Sequence, residues 1–497
     1  MKFENKMSDA EGLMWRLDKD PFLNSTFSSV TVLDRPADLD RLRRRLERAT
    51  ITIPRLRQRV QSAPGSISPP MWVDDPSFDL DYHLRVVALP EPGTLRQLLD
   101  LTSLVTADPF ERTRPLWAFF AVEGLEGERG ALIQKFHHTV MDGETGVRIS
   151  MEFLDLERDA PEPPPLEAPA RDGASGGAGA DALRGFVTAS LRLPIAVGKQ
   201  VRELLVNPAR IPEAGAASVA TVRGVVNQLS DTEQARSPLW TERSLKRRIE
   251  VLRVPFADVK EAATNLGGSL NTAFIAGAAA AAGAYHRQLG QPVDHLRASM
   301  AISTRTKESG SNAFTLGRLL VPTGEMSPAE RVAAIGEAAG QARAASATAS
   351  LEVLASVTTV LPTTLLTRLA RQQAETIDFA TSNVRASPMP CYVAGARILE
   401  IYPAGPLGGV AFNLTVLSYD GSLDMAANID PAAVAEPERL RDCLNDAFAE
   451  LIAAGQPKGT ASSGSSRKPP ARAKQSGKTT KTAPKRAAST RRQTPAS

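Results

Sequence analysis

The sequence predicts an α/β protein built from mixed sheets in two large halves, and three observations carry that reading. Strand-like alternation and helix-like periodicity succeed one another without the regular βαβ order of a parallel sheet. A Pro-, Gly-, Ala- and Ser-rich stretch from Pro161 to Ala182 divides the chain near its first third. With 497 residues, the chain is too long for one domain of roughly 100 to 200 residues. The expected partition is an N-terminal domain at 1–160, a flexible linker at 161–182, a crossover or amphipathic connector at 183–245, a C-terminal domain at 246–455 and a tail at 456–497.

Local patterns place the elements. Met7 to Trp15 reads as a capped start followed by an apolar segment, and Leu39, Leu42 and Leu46 mark a helix whose dense basic face is expected to be solvated. His83 is expected in a strand, packing or hydrogen bonding locally. Leu95 to Leu104 is helical, Ala118 to Val122 a strand, and Gly124, Leu125 and Gly130 form the hairpin that leads to the next strand. Leu183 to Val206 mixes apolar and basic residues around Pro194, as either a membrane-surface segment or a crossover helix would. Beyond it come a strand at Arg247–Val254, a helix at Phe256–Asn265, and an Ala-rich helix capped at Ser269 to Thr272. Ala298 to Arg305 reads as a strand, and Tyr419-Asp420-Gly421 as a hairpin turn.

Composition narrows the chemistry. Hydrophobic content of 42% supplies a sizeable core, and Cys391 and Cys443 are too few for a disulfide framework. The first residues lack the apolar stretch of a signal peptide, and the longest small-residue run, Ala273 to Ala282, is too short to span a bilayer. A cytoplasmic protein with at most peripheral membrane contact is expected. Five histidines and two cysteines show no spacing that suits a metal, so none is expected.

The stretch richest in chemistry is His137-His138-Thr139-Val140-Met141-Asp142-Gly143, at the end of a strand read from the alternation of Leu132, Gln134 and Phe136. Adjacent strand residues point to opposite faces, so only one of the two histidines can face a given cavity. An imidazole is suited to take a proton from a hydroxyl near neutral pH and return it later. Asp142 could orient the segment through an ion pair, and Gly143 permits a turn and close approach of a ligand. A purely structural histidine pair is the alternative.

The pattern H-H-x-x-x-D-G resembles the signature of the CoA-dependent acyltransferases related to chloramphenicol acetyltransferase and to the condensation domains of nonribosomal peptide synthesis. Together with Arg114-Pro115-Leu116-Trp117, Glu123-Gly124-Leu125, Thr381-Ser382-Asn383-Val384, Gly405-Pro406-Leu407 and Asn413, it resembles the bacterial wax ester synthase/diacylglycerol acyltransferase family. The resemblance spans about Met7 to Ala454. It implies two similarly folded chloramphenicol acetyltransferase-like domains, with a tunnel at their interface that acyl-CoA and the acceptor alcohol enter from opposite sides.

In that resemblance His138 is the general base, His137 supports it, Asp142 forms an architectural ion pair, and Gly143 completes the motif. Asn271, Thr381 and Ser382 are candidates for orienting groups or oxyanion donors. Thr272 departs from the Asp usual beside Asn271, and only Asn312 survives of the Gly-Asn-Arg pattern that follows the strand near Ser303. The implied reaction moves a long-chain acyl group from acyl-CoA, a co-substrate with no further cofactor, to diacylglycerol or a long-chain alcohol. Two other readings stay open: acyl transfer to a polyketide or short-chain alcohol, and a non-catalytic lipid-surface tether that keeps the fold. No Gly-x-Ser-x-Gly elbow lies near a third partner, which argues against a serine hydrolase.

Charge is unevenly placed. Eleven Lys/Arg and no acid lie between Gln456 and Ser497, so the remaining 48 basic and 55 acidic residues leave a body of net charge −7 in a chain of +4. A tail so poor in large apolar side chains is expected to be disordered, and polybasic segments bind anionic lipid headgroups or nucleic acid. The body has no basic, aromatic-interleaved patch, which leaves an anionic membrane or lipid-droplet surface as the expected partner and nucleic acid as the lesser one. Truncation after Gly455 should therefore reduce co-sedimentation with anionic vesicles at low salt while turnover on a soluble acceptor is kept. Unchanged vesicle binding would clear the tail of this role, and tighter binding of DNA than of vesicles would reassign it.

Overall fold

The computed structural model describes residues 5–62, 70–164, 166, 235–303, 314–348 and 363–456. The expected linker beyond Pro164 apart from Leu166, the segment from Leu183 to Val206, Asn312 and the basic tail from Pro457 lie outside the described residues. The first half runs through α1 (Asp9–Leu17), β1 (Thr26–Leu33), α2 (Leu39–Thr52), β2 (Gln58–Gln61), β3 (Met71–Asp74), α3 (Leu80–His83), β4 (Leu84–Ala88), α4 (Leu95–Ala107), β5 (Trp117–Leu125), β6 (Arg129–His137), α5 (Gly143–Ser150) and β7 (Leu154–Asp155). The second runs through β8 (Arg248–Pro255), α6 (Phe256–Asn265), α7 (Leu270–Gln288), β9 (His295–Ser303), β10 (Phe314–Pro322), α8 (Pro328–Thr348), α9 (Thr363–Ala374), β11 (Phe379–Arg385), β12 (Tyr392–Val393), β13 (Ala396–Ala404), β14 (Phe412–Tyr419), β15 (Ser422–Ile429) and α10 (Pro437–Gly455).

Among the described residues the strands form two large mixed sheets and one small hairpin. The seven-stranded sheet has the order β4-β5-β6-β1-β13-β12-β7, and the six-stranded sheet the order β10-β9-β11-β14-β15-β8. Parallel pairs occur at β4/β5, β9/β11 and β11/β14, and the other neighbours are antiparallel. The hairpin predicted at Asp420-Gly421 joins β14 to β15, with φ of 40° and 76° at its two turn residues.

The sheets do not follow a simple sequential division. β12 and β13 belong to the second half of the chain, yet β13 pairs with β1 of the first half, Thr31 facing Ile401 and Ser29 facing Pro403. Among the described residues much of the other edge of β13 is paired with no strand, and side chains from the six-stranded sheet bond to it and to the residues just after it. Asp424 accepts the Ile401 amide at 2.8 Å, and Asn428 donates to the Gly405 carbonyl at 2.8 Å. Asn413 donates to the Pro406 carbonyl at 2.7 Å. Pro403, between them, has no amide hydrogen to satisfy. Burial raises the Asp424 carboxyl to about 6 even with Arg253 3.0 Å away.

The Ala-rich helix α7 is buried on nearly every side, as its composition predicts. Phe274 stacks on Phe448 of α10 with ring centroids 6.3 Å apart, and a Cβ at Gly277 would lie 2.8 Å from that Phe448 ring. Only glycine at 277 lets the two helices approach this closely.

Two local expectations are corrected. The basic face of α2 is solvated only in part, at Arg43 and Arg44; the rest clamps the segment that leads out of β7. Arg41 and Arg45 both bind the buried Asp155 carboxylate, at 2.8 and 2.5 Å, Arg41 also holds the carbonyls of Arg158 and Ala160, and Arg48 holds that of Pro164. The first residues of the expected linker, Pro161 to Pro164, thus lie along α2. His83 ends the short helix α3 and is not in a strand. Its ring stacks on Trp117 at 4.5 Å, Nδ1 is 2.7 Å from the Trp117 carbonyl, and burial lowers its pKa to about 4.

Removing Asp155 would leave two largely buried guanidinium groups without their carboxylate. Asp155→Ala should lower the unfolding free energy by about 3 kcal/mol, the cost of breaking a buried pair by deleting one partner. Urea denaturation measures this, and a loss below about 1 kcal/mol, the range of exposed pairs, would show that carbonyl contacts alone hold the arginines.

Candidate active site

Strand β6 delivers the histidine pair between β1 and β5, with Phe136 facing Phe27 and Gln134 facing Ser29. Side-chain alternation then sends His137 away from the space between the sheets and His138 into it. The strand hydrogen bonds continue past the end of β6: the His138 amide donates to the Ser25 carbonyl at 3.0 Å.

His137 is a bracket. Its Nδ1 accepts the Thr139 amide at 3.2 Å and sits 2.8 Å from the Thr139 hydroxyl, which fixes the ring proton on Nε2. Nε2 lies 3.2 Å from Asp18 Oδ1, at an angle outside hydrogen-bond geometry. Asp18 is paired with Arg112 at 3.1 Å, and that guanidinium lies over the Trp15 ring at 3.4 Å. The end of α1 thus packs against the start of the motif, with the Trp15 ring edge-on to His137 at 6.4 Å.

His138 is half-buried, with its ring 4.7 Å from that of Phe27 and one side open to a cavity. Burial is the largest influence on its pKa, reinforced by His137 and opposed by Asp142, and lowers it to about 4. The imidazole is therefore neutral at pH 7, the form that can accept a proton.

Asp142 is buried and caps α5. Its Oδ1 accepts the Thr145 amide at 2.8 Å, its carbonyl accepts the Gly146 amide at 2.8 Å, and Gly143 is the first helical residue. Capping is a job that carboxylates perform well at a helix N-terminus.

The cavity of about 600 Å³ lies between the two large sheets and is within the size range of ligand sites. Its walls are largely apolar, from Leu17 of α1, Phe27 and Phe136 on the first sheet, Leu369 of α9 and Val384 of β11. It reaches the surface beside Met151 and Leu316, which also line it and are 52% and 54% exposed.

The predicted residues of the second half divide. Thr381 and Ser382 line the cavity, but the Thr381 hydroxyl is committed to the Ser299 carbonyl at 3.1 Å. Asn271 does not line it; its Oδ1 accepts from Asn383, which does, at 3.3 Å. Thr272 sits in the third position of α7, and its amide donates to Ser269 Oγ at 3.1 Å, so Ser269 is the cap and Thr272 receives it. Sequence reasoning passed over Ser29, Gln134 and Thr415, polar residues that line the cavity. The alternation used to read β6 as a strand already placed Gln134 on the His138 face.

The profile of the wax ester synthase/diacylglycerol acyltransferase catalytic domain matches residues 7–274, and that of the family's C-terminal domain matches residues 310–452. The chain belongs to this family. A putative diacylglycerol O-acyltransferase of Mycobacterium tuberculosis strain H37Rv is 34% identical over 468 residues, covering 92% of this chain and 94% of the relative. A second putative diacylglycerol O-acyltransferase of that strain is 28% identical over 482 residues, covering 92% and 98%. Among solved structures, the wax ester synthase/diacylglycerol acyltransferase from Marinobacter aquaeolei VT8 superposes with a TM-score of 0.62 at 21% identity, covering 91% of this chain and all of the other. The first condensation domain of the calcium-dependent antibiotic synthetase gives a TM-score of 0.57 at 16% identity, covering 91% and 99%. The fold expected from the motif, chloramphenicol acetyltransferase-like and condensation-domain-like, is the fold observed, and the family is that of acyl-CoA-dependent O-acyltransferases.

A depressed imidazole pKa has a signed consequence. The folded chain keeps His138 neutral while the unfolded chain protonates it near 6.5, so the unfolded state binds more protons between about pH 6.5 and 4. This residue's contribution to stability is flat above pH 6.5 and falls as the pH drops toward 4. The NMR titration of the His138 ring, assigned with a His138→Gln variant, should show a midpoint near 4. A midpoint near 6.5, the unperturbed value, would show that the cavity solvates the ring.

Proposed function

We propose that His138 is the general base of an acyl transfer from a long-chain acyl-CoA to diacylglycerol or a long-chain alcohol, yielding triacylglycerol or wax ester. The observation that carries this reading is a neutral imidazole facing a largely apolar cavity between two sheets. The ring takes the proton of the acceptor hydroxyl as its oxygen attacks the thioester carbonyl. The tetrahedral oxyanion collapses, the carbon–sulfur bond breaks, and the proton passes from the imidazolium to the departing thiolate. The products are an ester and free CoA, and no acyl-enzyme forms.

Ser382 is the candidate donor to the oxyanion, since the Thr381 hydroxyl is already engaged; Asn271 acts at most through Asn383. His137 and Asp142 position the base, one by tying the motif to α1 and the other by starting α5. The enzyme uses acyl-CoA as co-substrate without a further cofactor, and works in the cytoplasm at an anionic membrane or lipid-inclusion surface to which the basic tail brings it. Among the described residues no helix is long and apolar enough to cross a membrane, which suits a peripheral association.

His138→Ala should lower turnover of palmitoyl-CoA with diacylglycerol or hexadecanol by about 100-fold or more, as loss of a general base does. The melting temperature should stay near that of the wild type, because the ring faces the cavity. Near wild-type turnover in a stable variant would remove His138 from the chemistry.

A further inference from the structure

The cavity wall formed by the seven-stranded sheet is graded. Nearest His138 is an aromatic rung, Phe27 paired with Phe136, their rings stacked 5.9 Å apart. The next rung on the same face, two residues along each strand, is polar: Ser29 opposite Gln134, with Pro403 on the far side of Ser29. Two strand residues advance about 7 Å. Both polar side chains are half-buried and line the cavity, and among the described residues neither has a hydrogen-bond partner. By contrast Ser28, on the opposite face, has its hydroxyl bound to Thr106 at 2.7 Å.

An apolar cavity that served only alkyl chains would have no use for an open carboxamide and hydroxyl two rungs, about 13 Å along the strand, from the base. A ligand covering that rung without polar groups would strip their water and return nothing, at a cost in binding. A long-chain alcohol has a single oxygen, which must lie at His138. A diacylglycerol with the same hydroxyl at His138 carries an ester on the adjacent glycerol carbon and another beyond it, each with a carbonyl that accepts hydrogen bonds.

We infer that Gln134 and Ser29 are the acceptor-selecting residues of this enzyme, donating hydrogen bonds to an ester carbonyl of diacylglycerol and so favouring it over a long-chain alcohol. The inference rests on His138 marking the reacting hydroxyl. The amides of the CoA arm share the carbonyl chemistry, and the test separates the two sources.

The probes are 1,2-dioctanoylglycerol and its diether analogue 1,2-dioctylglycerol, which keeps the hydroxyl and the chains but lacks both carbonyls. Wild-type enzyme should prefer the diester by roughly fivefold or more in kcat/KM, the worth of one neutral hydrogen bond. Gln134→Leu should bring the ratio near unity, and Ser29→Ala should reduce it in part. Equilibrium binding of the same pair by calorimetry reads the preference without turnover, so an enzyme inactive on every acceptor would sink the acyl-transfer reading while leaving this one testable. An unchanged diester-to-diether ratio in a folded Gln134→Leu variant overturns the inference. So does an equal rise in the acyl-CoA KM with both acceptors, which would assign the rung to the CoA arm.

Discussion

The crossing of β13 from the second half of the chain to the edge of β1 is the constraint on which the rest of the structure depends. On one edge β13 completes a seven-stranded sheet, and on the other Asp424 meets the Ile401 amide while Asn428 and Asn413 hold the carbonyls of Gly405 and Pro406 just past the strand. A backbone ladder would have drawn the two sheets into one continuous surface. Single side-chain bonds satisfy the same groups while letting the sheets part, and the cavity occupies the space so opened. The buried carboxylate of Asp424 carries an electrostatic cost, visible in its raised pKa, that a strand amide would not.

Within this frame the two histidines divide their labour according to strand geometry. His137 is spent on bracing the turn, through its bonds to Thr139 and its packing against Trp15 and Asp18, so that the next residue enters the cavity from a fixed point. His138 meets mainly an aromatic ring and enclosing protein, which keeps it neutral. Helix α5, started by Asp142, fixes the chain immediately beyond the pair. Rigidity on either side of the base is what a reaction dependent on the placement of two substrates requires.

What could be read from the sequence was local. The histidine motif, the Ser269 cap, the Asp420-Gly421 turn and the Ala-rich helix all follow from residues a few positions apart. What could not be read depended on distant partners. The basic face of α2 resembled any solvated helix because its carboxylate, Asp155, lies more than 100 residues onward. Nothing in Ala396 to Ala404 says which sheet it joins, since alternation reports a strand and not its neighbour. His83 resembled a strand residue because a helix of four residues has too little periodicity to show.

The crossover also has a consequence for the order in which the molecule can be made. During synthesis the first half emerges with the β1 edge open, and the residues that close it, 396–404, follow more than 360 positions later. Val30 and Val32 of β1 are fully buried in the finished protein, in a cluster that includes Tyr402 and Ala404. Until then the nascent chain presents an unsatisfied strand edge, the kind of surface that pairs with other chains. A fragment ending after the histidine motif would keep every residue assigned to the base and its brackets, and still lack the strand that makes its sheet whole. Such long-range closure is slow to form and exposed to misassembly, so folding is a property of the full chain even though the chemistry is concentrated near residue 138.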